Sequence, residues 1–441
     1  MRKYFTAFIA FGFLAIVITV ICLISFKPIE SLMKPPMSGG ENHEIQIAFE
    51  NSLDNNYKLV APLSGLYRSS YISEDLNGDE QEEIIVLYST EDAVDIVKIS
   101  FMMKVNGEWE VVSGIESSYS EVHQVKFADI DGDEVMELLV GWTVYQNDLS
   151  RHLNVYKVPI NGKDDFKKIY SSTYLTFDAV DIDSNGVSDI AVFESSDDGI
   201  VLSSNKFMNG AITKNAIITL DSSAYAIYNL SYDNGAEDDA LRIFIDSYKI
   251  DSGVITECIF WDDDNGQFDK VMSDGISILS SRHTGIPCQD VNYDGLIDVP
   301  VEIPLKGSSL ITESETSNQV QNIIKWIHLK ANGYSTVTHQ LIYGNNDFRI
   351  TFSEKWMKRI TVINDYKSNT ISFYTTEDGK KIILFELKYT STQVEEDALS
   401  NKYKLLTETG KGKLFYIIYK SDSSLNINKV YIENSIVLYG G

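Results

Sequence analysis

Asp75-Leu-Asn77-Gly-Asp79-Glu-Gln81-Glu-Glu83 runs directly into Ile84-Ile-Val-Leu-Tyr88, and the same arrangement returns three times along the chain. The later copies are Asp129-Ile-Asp131-Gly-Asp133-Glu-Val135-Met-Glu137 before Leu138-Leu-Val-Gly-Trp142, Asp181-Ile-Asp183-Ser-Asn185-Gly-Val187-Ser-Asp189 before Ile190-Ala-Val-Phe193, and Asp290-Val-Asn292-Tyr-Asp294-Gly-Leu296-Ile-Asp298 before Val299-Pro-Val-Glu-Ile303. Oxygen side chains at positions 1, 3, 5 and 9 of a tight nine-residue loop converge on one centre. A backbone carbonyl at position 7 (Gln81, Val135, Val187, Leu296) adds a further oxygen, and such a cage suits a hard dication. Calcium is favoured over magnesium, which demands a stricter octahedron and keeps its waters. Transition metals are disfavoured, because no His or Cys occupies a ligand position. The second loop carries four carboxylates and is expected to bind most tightly. An EF-hand opens with similar spacing but needs a Glu at position 12 and flanking helices. Position 12 here is Val86, Val140, Val192 or Val301, each inside an apolar run.

Those runs are short and rich in β-branched residues, as buried strands are. First positions at Asp75, Asp129, Asp181 and Asp290 leave a double gap after the third copy. Ser231-Tyr-Asp233-Asn-Gly235-Ala-Glu-Asp-Asp239 fills it, keeping carboxylates at positions 3 and 9 but not at 1 and 5. It reads as a copy that has kept its shape and lost its metal. Each repeat adds further strand-like segments, such as Val97 to Val105 and Trp109 to Val112 around an Asn106-Gly107 hairpin turn. A period near 50 residues with several strands per repeat is the mark of propeller blades. The expectation is a mainly β protein: a β-propeller of about five blades (58–118, 119–172, 173–221, 222–277, 278–345) within 58–345. A small C-terminal α+β domain over 346–441 follows, with a helix near 394–404.

Residues 1–27 read as a signal anchor. Arg2 and Lys3 precede an apolar run from Phe8 to Phe26, and such a segment points the remaining chain outward. Cys22 leaves lipid attachment as a second option. Residues 28–57 read as a Pro/Gly-rich tether with a short helix near 45–53. The expected location is therefore the cell membrane, with most of the chain extracellular. Cys258 and Cys288 are either a disulfide or two buried thiols. The net charge of −27 argues against a nucleic-acid partner, which wants a basic face.

The Asp-x-Asp/Asn-x-Asp-Gly-x-x-Asp/Glu loop followed by a strand resembles the FG-GAP/VCBS-type repeats of integrin α-chain propellers and of many bacterial surface proteins. That resemblance implies a bracing role for Asp75, Asn77, Asp79, Glu83 and their counterparts. The Phe-Gly…Gly-Ala-Pro half of that motif is absent. The anchor, tether and Phe352-Ser-Glu-Lys-Trp356 segment also resemble membrane-attached proteins of Gram-positive anaerobes, a likeness that implies location and no activity.

Six scattered His, no Gly-x-Ser-x-Gly elbow and no Gly-rich phosphate loop leave no catalytic constellation in view. Trp261-Asp-Asp-Asp264 reads as a solvated turn. Arg282 lines a channel or pairs with the acidic surface. The expected function is a non-catalytic, calcium-stabilised surface module binding a protein or glycan partner. The alternatives are a glycoside-cleaving propeller enzyme of the cell envelope, marked by a deep central pocket with two carboxyls about 5–10 Å apart, and a scaffold whose C-terminal domain makes the contact.

Overall fold

The structure is a computed structural model that describes residues 40–54, 56–143, 151–160, 162, 164–235, 240–271, 280–305, 322–330, 333–343, 348–357, 359–365, 367–420, 423–425 and 427–438. Strands dominate these residues and form six antiparallel sheets. In the first, Tyr57–Leu59 and Tyr71–Glu74 both pair with Glu83–Thr90, which continues to Ala93–Val105 and Glu108–Glu116. The second runs Glu121–Ala128, Glu137–Thr143, Arg151–Lys157, Lys167–Tyr174, and the third Thr176–Val180, Asp189–Ser196, Gly199–Met208, Ala211–Thr219. The fourth runs Ala224–Asp233, Arg242–Lys249, Val254–Asp262, Gln267–Lys270. Chain order equals sheet order in these three. Asn106-Gly107, Asn209-Gly210 and Asp378-Gly379 all have positive φ at both residues, the backbone that a two-residue hairpin turn requires.

Two compact units divide the chain. One comprises 1–180, 186–191 and 205–213; the other comprises 181–185, 192–204 and 214–441, so the division runs through the third sheet. In the first unit, Leu87 and Phe101 of the first sheet pack on Val122, Leu138 and Trp142 of the second. Both faces of the strands Glu83–Thr90 and Glu137–Thr143 are buried, which is why their sequences are continuously apolar rather than alternating. The helix Glu41–Asn51 covers the first sheet by seating the fully buried Phe49 against Tyr57, Tyr71 and Tyr88, ring centroids 5.1, 5.9 and 5.1 Å away. In the second unit, Phe244 and Cys258 pack on Val299 and Ile327. Ile350, Phe352 and Trp356 pack on Phe373 and Phe385.

The expected boundary at 345/346 does not separate two folds. Phe348–Phe352 pairs with Gly333–Tyr343 and so completes the fifth sheet, which begins Asp298–Pro304, Asn322–Lys330. Ile436–Leu438 returns to that same sheet. The sixth sheet follows at once (Ile360–Asp365, Thr370–Glu377, Lys380–Thr390, Gly412–Ile418, Lys404–Thr409). Where about five blades were expected, the described residues form six sheets. The acidic loop marks repeats in the sequence, while strand pairing needs only a hydrophobic pattern, and the sixth sheet has no such loop. The C-terminal helix is Gln393–Leu399, shorter than expected, and Cys258 and Cys288 are free, buried thiols. The expected membrane placement is likewise corrected: among the described residues no helix is long and apolar enough to cross a membrane. The segment 1–27 and residues 28–39 of the tether lie outside the described residues.

Candidate functional site

Each acidic loop turns the chain into the strand that follows it. Glu74 pairs with Glu83, Ala128 with Glu137 and, in an isolated bridge, Gln289 with Asp298, so the position 9 acid opens that following strand. There it is buried: Glu83, Glu137, Asp189 and Asp298 are all at most 3% exposed. Its carboxylate accepts the backbone N–H of position 2, from Leu76 (3.0 Å), Ile130 (2.8 Å) and Val291 (3.2 Å). The position 1 carboxylate gathers the amides on the far side of the bend. Asp75 accepts from Gly78, Asp79 and Glu80, Asp129 from Gly132 and Glu134, and Asp290 from Tyr293, Asp294 and Gly295. Position 5 accepts the position 7 amide: Gln81 to Asp79, Val135 to Asp133, Leu296 to Asp294. These bonds curl the backbone so that alternate side chains face inward.

Positions 4 and 6 both take positive φ in every loop: Gly78 and Glu80, Gly132 and Glu134, Ser184 and Gly186, Tyr293 and Gly295. One of the two is always glycine, and the other is an L residue held in a left-handed conformation at a cost of about 1–2 kcal/mol. Adjacent loops are laced together. Met136 N–H donates to the Leu76 carbonyl at 2.9 Å, and Ser188 N–H to the Asp129 carbonyl at 3.0 Å.

Oxygens of Asp129, Asp131 and Glu137 lie within 4.8 Å of one another. The Asp131 side chain is 4% exposed, and its Oδ1 is buried without a hydrogen-bond partner. Burial, followed by the charges of Asp131 and Asp133, pushes the Glu137 carboxyl up to about 7 against the hydrogen bond from Ile130. Burial likewise raises Glu83, and raises Asp298 to about 6. Crowded, desolvated carboxylates with an unsatisfied buried oxygen are what a dication neutralises, so these residues fit calcium. Lys157, across the sheet from Glu137, ion-pairs with Asp131 and reaches Asp133 Oδ2 at 3.0 Å. Its ammonium offsets part of the charge that favours the second loop. Lys206 stands similarly at 3.7 Å from Asp189. Val187 and Asp189 belong to the first unit and Asp181, Asp183 and Asn185 to the second.

The fourth repeat corrects the alignment made from sequence. Asp233 pairs with Arg242 in the register that Glu74 and Glu83 hold in the first loop. Arg242, and not Asp239, therefore occupies position 9; residues 236–239 lie outside the described residues. The cage acid is replaced by a guanidinium. Arg242 Nε donates to Asp233 Oδ1 at 2.6 Å and Nη1 to the Leu329 carbonyl at 3.1 Å. Asp233 also accepts from Gly235 and, at 2.8 Å, from Ile297 N–H of the last loop. Counting back from the strand, instead of forward from an acid, would have revealed the three-residue shift.

One further residue escaped the sequence, and the reading of another is corrected. His328 sits directly opposite Asp298 in the fifth sheet, a relation visible only once strands are paired. Arg282 neither lines a channel nor meets the surface: it is buried, donating from Nη2 to the equally buried Asp246 at 2.8 Å. Asp262, Asp263 and Asp264 form the exposed turn expected of them.

A cavity of about 560 Å³ opens beside the first loop, in the first unit. Glu41, Tyr71, Glu80, Glu82, Lys104 and Trp109 line it. Lys104 ion-pairs with Glu41 and stands 5.2 Å from the centre of the Trp109 ring. That pairing keeps the Glu41 carboxyl below its ordinary range.

No family model matches the chain, and no curated protein does either. Solved structures similar to it include a protein from Lactobacillus plantarum (8% identity, 74% of this chain and 86% of that one, TM-score 0.34) and the periplasmic gluconolactonase of Pseudomonas aeruginosa (12%, 73% and 87%, 0.28). The rhamnogalacturonan lyase of Bacillus licheniformis is another (13%, 73% and 72%, 0.30). The last two are named as enzymes, which differs from the non-catalytic binding module expected from the sequence. Their substrates are statements about those proteins alone.

Proposed function

We propose that this chain is a calcium-braced β-propeller that acts on carbohydrate, its successive sheets being the blades. The cavity beside the first loop carries the reading. Its size is that of a small-molecule site, and two aromatic rings with several carboxylates are what a sugar requires: an apolar face to stack on and acceptors for hydroxyls. Glycoside cleavage needs one carboxyl that stays ionised and one that gives a proton. Glu41, kept charged by Lys104, takes the first role; Glu80 and Glu82 are the candidates for the second. Calcium held by Asp75, Asn77, Asp79 and Glu83, with the Gln81 carbonyl, would fix the loop that presents Glu80 and Glu82. The same role falls to the ligands of the later loops.

Turnover of a polysaccharide panel, followed by release of reducing or unsaturated ends, tests this. Glu41→Gln should abolish most activity without changing the fold. A chain that neither turns over nor binds any saccharide at this cavity contradicts it.

A further inference from the structure

The last loop differs from the others in what stands over its closing acid. Asp298 is 1% exposed at its side chain, and its Oδ1 has no hydrogen-bond partner. Facing it is His328, whose side chain is 10% exposed and whose two ring nitrogens are both buried without a partner. Nδ1 lies 4.0 Å from Asp298 Oδ1, too far for a hydrogen bond. Burying a polar group without a partner is costly, and three such atoms meet here. The first two copies pair as far as Ile84 with Met102 and Leu138 with Tyr156; continued by one residue, that register brings Met103 to Glu83 and Lys157 to Glu137, so neither copy has an imidazole there. The nearby guanidinium of Arg242 holds Asp233 through Nε and the Leu329 carbonyl through Nη1, while its Nη2 is also buried without a partner.

We propose that His328 is a nitrogen ligand of the last loop, which therefore takes a first-row transition-metal dication such as manganese or zinc in preference to calcium. The facing Asp298 Oδ1 and His328 Nδ1 are the observation that carries it, and the inference rests on the reading of Asp290, Asn292, Asp294, Leu296 and Asp298 as a cation cage. Metal–nitrogen and metal–oxygen bonds of about 2.0–2.2 Å allow one ion to bridge atoms 4.0 Å apart. Imidazole suits manganese's heavier neighbours and oxygen suits manganese itself, whereas calcium gains little from nitrogen.

The test uses the full chain, freed of metal and titrated separately with manganese, zinc and calcium chlorides. His328→Met places there the residue that the first loop carries, and so spares the fold. The wild type should bind one manganese or zinc ion more tightly than the rest, with nitrogen modulation in the manganese electron spin echo. In His328→Met that modulation should vanish and that affinity fall at least about 10-fold, the lower end of the loss seen when a mere outer-shell partner is removed. Calcium uptake by the first and second loops should be unchanged. Equal manganese and zinc affinities in wild type and variant, or an echo without nitrogen, overturn the proposal even if calcium fills every loop. Conversely, a His328-dependent site in a chain that ignores calcium elsewhere supports it while removing the general calcium reading.

Discussion

Replacing Arg242 by Met asks what an internal cation is worth where other repeats use a cage of acids. The Asp233 carboxylate is fully buried, and the Arg242 side chain is 8% exposed. Removing one partner of a buried ion pair costs about 3–5 kcal/mol, because the other charge is left in a medium that does not solvate it. Asp233 would retain the amides of Gly235 and Ile297, which places the loss near the lower limit, about 3 kcal/mol. At roughly 2–4 °C per kcal/mol for a large domain, melting should fall by about 6–12 °C. Urea unfolding and scanning calorimetry, each run with chelator and again with millimolar calcium, measure it. The loss should be the same in both buffers. Arg242→Met combined with Asp233→Asn should recover most of it, since the stranded charge is gone. A loss below about 1 kcal/mol, or one that calcium restores, would refute the claim that this guanidinium stands in for a metal.

Four other outcomes follow from the same geometry. Gly132→Ala should cost about 1–2 kcal/mol, because φ is +78° and the new Cβ would meet Val187 Cγ2 at 3.2 Å; urea midpoints report it. Lys157→Met should weaken the metal-free protein yet tighten calcium binding at the second loop, since the ammonium on Asp131 and Asp133 competes with the ion; calorimetric titration separates the two. His123, hydrogen-bonded to Tyr174 at 3.0 Å and Ser64 at 3.2 Å, is held by burial at about 4 instead of 6.5. The unfolded chain then binds the extra proton between those values, so stability should rise with pH across about 4 to 6.5 and fall on acidification, by about 1–2 kcal/mol once solvent screening is allowed for. His123→Gln should flatten that slope in urea melts taken at several pH values. Calcium at 100 times its Kd should add about 2.7 kcal/mol per independent site, visible as a rise in Tm that chelator reverses.

The loops and their strands were legible because both are local. An acid or amide at positions 1, 3, 5 and 9 before a β-branched run leaves few other readings, and sheets spanning 57–116, 121–174, 176–219 and 224–270 follow the expected repeats closely. What sequence concealed was pairing. Arg242 at position 9, His328 opposite Asp298 and Phe348–Phe352 in the fifth sheet depend on register, which alternation of side chains specifies only after partners are known. Glu80 and Glu134 were visible as departures from glycine, yet their positive φ follows from the amides that Asp75 and Asp129 collect. The cavity was hidden for a related reason: Glu41 lies on a helix and Trp109 on the edge strand it covers, 68 positions apart in the sequence.

An anomalous-scattering map from crystals grown in millimolar calcium tests the central claim most directly. A peak should stand about 2.3–2.6 Å from carboxylate oxygens of Asp129, Asp131 and Glu137, with counterparts in the first loop. Ordered protein with only water at those oxygens would contradict it.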